Sequence, residues 1–391
     1  MPSYRSLFRT PEFTPLFLLN SSQVAAQTVG SIALGTLVFT STRSPLLAAL
    51  AMFGPALAQV LGAATLLRAA DRLPPRAALT GLALLFAAGT ALQAAPGLPP
   101  WALFAVLLPL GMAGALGGGV RYGLLSELLP GDRYPLGRAA LNVANGVLQV
   151  GGFAVGGILT TTLTPRQTLL LAAALQLTGA IAARLGLSRR PPRATAGHRG
   201  VPTARLLTDR ARRTVYLAGW IPNGLIVGCE SLFLPYSPRQ AGLLLAAAAA
   251  GMLLGDTVVG RFLTARRRAR LGVPLCLLLA APYLLFACHP PLPLALVTAA
   301  VASVGYACAL PLQELLLTRT PAAGHGQALG LQSAGMGTAQ GLSAALAGAV
   351  AERVGPASAI ALLAAGSLAV TALLAPGLSG RPRTAAEATL G

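Results

Sequence analysis

The 391-residue chain contains no lysine at all. A Walker-type phosphate loop needs one, so the chain has no standard P-loop of its own for using ATP. Charge of either sign is scarce: 10% of residues are charged, with only ten carboxylates, against about 25% in soluble domains. The four cysteines, Cys229, Cys276, Cys288 and Cys308, fall in apolar stretches without CxxC spacing. They read as small hydrophobes rather than a disulfide framework. His198, His289 and His325 are scattered, with no H-x-x-H pattern. No metal site and no cofactor is expected from them. Aromatic residues make up 5% of the chain, too few to interleave with basic residues as stacking platforms. The net charge of +19 therefore does not point to a nucleic-acid partner.

What the chain has in quantity is apolar surface. It is 54% hydrophobic, with a mean hydropathy of +0.68, more than a soluble core absorbs. The implied solvent is lipid. The 45 glycines and 30 prolines fit this reading, because membrane helices tolerate both and small residues let helices approach closely. At about 20 apolar residues per crossing, twelve spans are expected. They lie at 14–39, 46–67, 77–95, 101–125, 138–162, 167–187, 213–235, 240–262, 272–288, 292–316, 326–350 and 356–376. The third and ninth are short. The basic N-terminus (Arg5, Arg9) leads directly into an apolar run long enough to span, so no cleavable leader is expected.

The arginines give the spans a direction. From Arg184 to Arg213 the chain carries nine arginines and one acid, Asp209. Pro191-Pro192 rules out one continuous helix there. With the N-terminus inside, only Arg43, Arg166, Arg239 and Arg353 fall in outer loops, Arg121 lies within the fourth span, and the remaining 24 sit at the inner face. Such a split indicates both termini on the cytoplasmic side. The halves also repeat. Glu127-Leu128-Leu129 and Ala140-Leu141 recur as Glu314-Leu315-Leu316 and Ala328-Leu329. Parallel repeats of six helices about an axis along the membrane normal are a transporter architecture. The expected organisation is an N-terminal six-helix bundle (1–187), a basic cytoplasmic linker (188–212) and a C-terminal six-helix bundle (213–391).

At this point the residues resemble the major facilitator superfamily. Its hallmark loop after span 2, G-x-x-x-D-R-x-G-R-R, is matched by Leu67 to Arg76, keeping Asp71, Arg72 and Arg76 but not the glycines. The antiporter signature of span 5, G-P-x-x-G-G, is matched by Gly152, Gly156 and Gly157, with Phe153 in place of proline. The stretch Tyr122–Gly157 resembles exporters of the macrolide and siderophore type. The resemblance implies an all-α integral membrane protein of two six-helix bundles. It also implies alternating access around a central cavity, a gating role for the Asp71 loop, and residence as a monomer in a bacterial plasma membrane.

Polar residues in spans face the bundle interior or a cavity. Asn20, Gln23, Gln27 and Ser31 lie on one face of span 1; Asn142, Asn145 and Gln149 lie on one face of span 5; Trp220, Asn223 and Glu230 lie on one face of span 7. The resemblance places the pore on spans 1, 4, 7 and 10. Asn20, Gln23, Gln27, Trp220 and Asn223 are therefore candidates for the substrate cavity, with helix–helix hydrogen bonding as the alternative. Arg121 is a further candidate, as an anion ligand or as a cation reaching for the interface. Glu230 sits roughly 17 residues, or about 25 Å, into span 7. A carboxylate set apart from water at that depth is a candidate proton carrier; the alternative is an ion pair with Arg239. Asp256 on span 8 is the second candidate, or a gate. The expected function is export of a small organic molecule against proton entry. Import or facilitation without a proton step, a membrane enzyme, and a sensor that keeps the fold without transporting are the alternatives. The absence of clustered nucleophiles, acids or histidines speaks against the enzyme.

Overall fold

The computed structural model describes residues 4–70, 73–130, 133–192, 207–321 and 324–379. After a short turn at Tyr4–Leu7 the described chain forms long helices. They are α1 (Phe13–Thr42), α2 (Pro45–Ala70), α3 (Pro75–Gln93), α4 (Pro100–Leu128), α5 (Arg133–Thr162) and α6 (Pro165–Gly186). The second set is α7 (Arg210–Tyr236), α8 (Ala241–Phe262), α9 (Ala265–Cys288), α10 (Leu292–Thr318), α11 (His325–Val354) and α12 (Pro356–Ser379). Eleven of them are long and apolar enough to cross a membrane. The other, α11, is 30 residues long but richer in glycine and glutamine. It packs against α2, α7 and α12, so its polar groups meet protein rather than lipid.

Sequence sets where these helices begin. Pro45, Pro75, Pro100, Pro165 and Pro356 each occupy the first helical position, where the missing N–H costs nothing and the fixed φ is already helical. Thr164 caps α6 by accepting from the Gln167 amide, and the Gln167 side chain returns the bond. Asp209 caps α7, accepting from the amides of Ala211 and Arg212 at 3.3 Å each. The ninth span, expected to be short, is completed by a change of helix type. Its α-helical part ends at Ala280, beside Pro282, and a 3₁₀ segment runs from Ala281 to Cys288. At about 2.0 Å rise per residue instead of about 1.5 Å, that segment carries the helix the rest of the way. α10 has a shorter 3₁₀ insert at Gly305–Cys308.

The pairing of helices repeats after six. In the first half α1 packs on α5 and α6, α2 on α4, and α3 on α6; in the second, α7 packs on α11 and α12, α8 on α10, and α9 on α12. The repeat holds at atomic detail. A Cβ on Gly62 would meet the α4 backbone at Met112 Cα, 2.6 Å away, and a Cβ on Gly255 would meet the α10 backbone at Val304 Cα, 2.9 Å away. Each pair of helices crosses at a glycine because no other residue lets the backbones come so close.

The halves join through α2 on α11 and α5 on α8. Along α2 and α11 the approaches run from Ser44 and Glu352, which share a hydrogen bond, to Val60 and Gly337. Along α5 and α8 they run from Gly157 and Gly242 to Gly146 and Leu253. Met52 and Leu234 close over Gly35 between them. All of these lie between the middle of the helices and the end remote from Arg189 and Arg190. The two bundles are sealed together at that end. Outward faces carry exposed Leu84, Ile181, Leu185, Leu254, Phe262 and Leu373, as lipid-facing surfaces do.

Candidate functional site

The polar face of α1 splits into two zones. Toward the arginine-rich end, Asn20 is fully buried and donates to Asn145 Oδ1 of α5 at 2.6 Å. Arg121 of α4 donates through Nη1 to Asn20 Oδ1 and through Nη2 to Gln23 Oε1, the latter at 3.1 Å. Its Nε has no partner. Among the described residues no carboxylate pairs with Arg121. A guanidinium does not give up its proton, so this cation is held inside the bundle by amide oxygens alone.

One to two turns further along α1, Gln27 and Ser31 face a cavity of about 380 Å³ within the first bundle. Asn145 and Gln149 of α5 line it too, with Gln59 of α2, Gln93 of α3 and Gln176 of α6. The walls between them are apolar: Leu34, Met52, Phe86, Leu107 and Leu110. Five glutamines and one asparagine offer both donors and acceptors and bring no formal charge. Asn145 is the link between the zones, since it lines the cavity and accepts from Asn20. Asn142, one turn before it on the same sequence face, is exposed instead. The sequence singled out Gln27, Ser31, Asn145 and Gln149. It gave no sign of Gln59, Gln93 or Gln176, which lie alone in apolar runs and reach the cavity from three other helices.

The α7 stripe is engaged differently. Trp220 stacks on Tyr216, with ring centroids 5.1 Å apart, and donates from Nε1 to the Gln332 carbonyl of α11 at 2.9 Å. Asn223 accepts from Gln340 Nε2 of α11 at 2.8 Å. Both fasten α7 to α11, and neither lines the cavity of the first bundle. Glu230 points into the second bundle. Its Oε1 accepts from Tyr306 Oη at 3.1 Å, Tyr283 Oη at 3.3 Å and Ser303 Oγ at 3.4 Å. It is buried, 7% exposed, and its neighbours are hydroxyls rather than Arg239. Tyr283, Ser303 and Tyr306 lie 53 to 76 residues away in sequence, so no local pattern announces them. Asp256 is exposed on α8.

The motif residues take the following places. Asp71 and Arg72 lie outside the described residues. Arg76, in the first turn of α3, donates from Nη2 to the Arg184 carbonyl at the end of α6. Gly152 faces Thr28 and Gly156 faces Val29, both of α1, while Gly157 faces Gly242 of α8. No group of three or more metal-ligating side chains occurs among the described residues.

Residues 214–390 match the sequence model of the Major Facilitator Superfamily. Solved structures of the same architecture superpose over nearly the whole chain. A POT family transporter in complex with 5-aminolevulinic acid is 11% identical, with a TM-score of 0.76 over 95% of this chain and 97% of its own. The nucleoside transporter NupG is 15% identical, with a TM-score of 0.74 over 95% and 100%. A bacterial homologue of the human lysosomal transporter Spinster, inward-facing and unoccupied, is 15% identical, with a TM-score of 0.69 over 94% and 95%. No curated protein matches the sequence.

The family model thus matches the second half of the chain, and the fold of the whole chain is that of the transporters named above. The solved structures that share this fold are of transporters. The likenesses also correct one expectation. The Tyr122–Gly157 stretch and the Gly152–Gly157 run suggested an efflux antiporter of the macrolide or siderophore type. The matching structures named here are instead of POT family, nucleoside, Spinster-type and proton-dependent oligopeptide transporters, with no macrolide or siderophore exporter among them. The local structure gives the physical reason. With Phe153 where the signature has proline, α5 runs unbroken from Arg133 to Thr162. The glycines serve as packing surfaces for α1 and α8, so the spacing records close helix contact rather than an antiport device.

Proposed function

We propose that this protein brings a small polar organic solute into a bacterial cell by alternating access, binding it in the amide-lined cavity of the first bundle. The observation that carries this is the cavity itself. Gln27, Ser31, Asn145 and Gln149 converge on about 380 Å³ of space bounded by apolar walls. Pockets of this kind hold small molecules by a few placed polar groups in an apolar setting. A neutral amide lining suits a neutral, hydrogen-bonding solute, and the seal at the far end leaves the arginine-rich side as the open one. On the positive-inside rule that side is the cytoplasm, with both termini there. The two bundles, 1–187 and 213–391, then rock as a monomer about the basic linker. The solute structures named above, which resemble this chain in fold, support a small-molecule cargo.

Glu230 favours a second element of the reading, proton symport. It is a buried acid with three hydroxyl partners and, among the described residues, no cation, on a helix that also touches the opposite half through α2. Facilitated uptake without a proton step is the alternative. The test is depletion of a mixture of small polar solutes from the medium by cells with and without the protein. The proposal expects selective loss of one solute class from the medium of expressing cells. Equal depletion by both cell lines overturns it.

A further inference from the structure

We infer that the cleft between the start of α3 and the end of α6 is a binding site for an anionic phospholipid headgroup. This site stands apart from the amide-lined cavity and does not depend on the transported solute. The cleft is large, about 590 Å³, and three unpaired guanidinium groups stand around it: Arg76 on α3, Arg184 on α6 and Arg189 just beyond α6. Among the described residues none of the three has a carboxylate partner. The charge of the neighbouring Arg190 is already taken up by Glu12 at 3.0 Å and Glu127 at 3.3 Å.

Two buried polar atoms in the cleft lack partners. Arg76 uses Nη2 on the Arg184 carbonyl, which leaves its Nε without an acceptor; Thr80 Oγ1, one turn along α3, has none either. Buried donors are seldom left unmet in a folded chain, and an unmet one costs free energy. Both belong to residues that line the cleft. A phosphate oxygen supplies what they lack: Nε and the hydroxyl donate, and the guanidinium groups offset its charge.

The remaining walls say what the anion is attached to. Gly81 is exposed, and nothing lies within 4 Å of where its Cβ would be. Leu84, a turn further into the membrane, also lines the cleft and is 48% exposed; outside the lining, the surface of α6 carries Ile181 and Leu185, 57% and 81% exposed. The cleft therefore has arginines at its mouth and an apolar floor running toward the bilayer centre. A free phosphate ion matches only the mouth. A phospholipid matches both, with its headgroup among the arginines and an acyl chain over Gly81 and Leu84. Basic clefts between membrane helices are recognised sites for such headgroups.

The test uses the purified full chain in neutral detergent micelles and reads its thermal midpoint. Dioleoyl phosphatidylglycerol, dioleoyl phosphatidylcholine and inorganic phosphate are added separately. Phosphatidylglycerol is expected to raise the midpoint, while the other two leave it unchanged. Two variants attack different parts of the cleft. The double variant Arg184→Gln/Arg189→Gln removes two charges, each of which should weaken binding about fivefold. Gly81→Leu fills the floor and leaves every arginine in place. Each should abolish most of the shift. If Gly81→Leu already melts lower without lipid, the arginine variant alone decides. An equal shift with phosphatidylcholine, a shift with inorganic phosphate alone, no shift with phosphatidylglycerol, or an undiminished shift in the deciding variants overturns the proposal.

Discussion

Gly157 of α5 lies directly against Gly242 of α8, so close that a Cβ on the first would meet Cα of the second at 2.7 Å. This is where the two halves press together at the sealed end. Ordinary contact would need the backbones to separate by roughly 1 Å. Gly157→Val should therefore prop that end open. Leu234, 1% exposed behind the seal, reports it. Labelling of a Leu234→Cys reporter by a membrane-impermeant maleimide should rise several-fold in the Gly157→Val background, and solute uptake should fall with it.

The carboxylate of Glu230 is held by Tyr306, Tyr283 and Ser303. If it carries the symported proton, Glu230→Gln should lose accumulation driven by a proton gradient while downhill exchange continues. Glu230→Asp should retain part of the activity, since the charge is kept one methylene short. Tyr306→Phe removes one of three hydroxyl donors, a change of about 1 kcal/mol, and should slow coupled uptake without abolishing it. Undiminished uphill uptake by Glu230→Gln vesicles would show that the proton is carried elsewhere, with Asp256 the next acid to test; loss of uphill uptake in the wild type itself would leave facilitation as the mechanism.

Arg121 makes a different kind of prediction, because its partners depend on it. Arg121→Ala leaves the Asn20 and Gln23 amide oxygens without the donors they now meet. Unmet buried acceptors cost about 1–3 kcal/mol, so the purified variant should melt at a lower temperature. Adding Asn20→Ala should cost less than the two single losses combined, since the residues share one hydrogen bond. Strict additivity would show that the pair is uncoupled.

Much of the fold was legible because lipid imposes simple rules. Apolar length located the helices to within a few residues, and prolines such as Pro165 and Pro356 marked their starts. The site was legible only in part. A stripe like Gln27 and Ser31 shows at helical spacing, but Gln59, Gln93 and Gln176 each stand alone on their own helices and acquire meaning only when those helices meet. The same holds for Tyr283 and Tyr306 around Glu230. Trp220 and Asn223 share the spacing of a cavity stripe, yet they bind α11, because a polar face on an inner helix reads alike whether it meets a neighbour or a space. The antiporter spacing at Gly152–Gly157 misled for a related reason: close packing of α5 on α1 and α8 needs small residues at the same interval.

The arginine distribution makes a prediction about sidedness that can be read directly. Cysteines at Gly97, in the turn after α3, and at Pro192, just after Arg189 and Arg190, should label from opposite sides of the membrane: the first from outside and the second only after permeabilisation. Labelling of both from the same side would overturn the assignment of the termini to the cytoplasm.

The direction and place of transport meet in one measurement, the initial rate of entry of the depleted solute into cells expressing the wild type, Gln27→Leu or Gln149→Leu. Each substitution removes hydrogen-bonding capacity from the cavity wall, a loss of about 0.5–1.5 kcal/mol, or roughly two- to tenfold in affinity. The account predicts inward flux in the wild type and a KM raised by that factor in both variants, at similar protein abundance. Lower internal solute in expressing cells than in controls, or an unchanged KM in both variants, would contradict it.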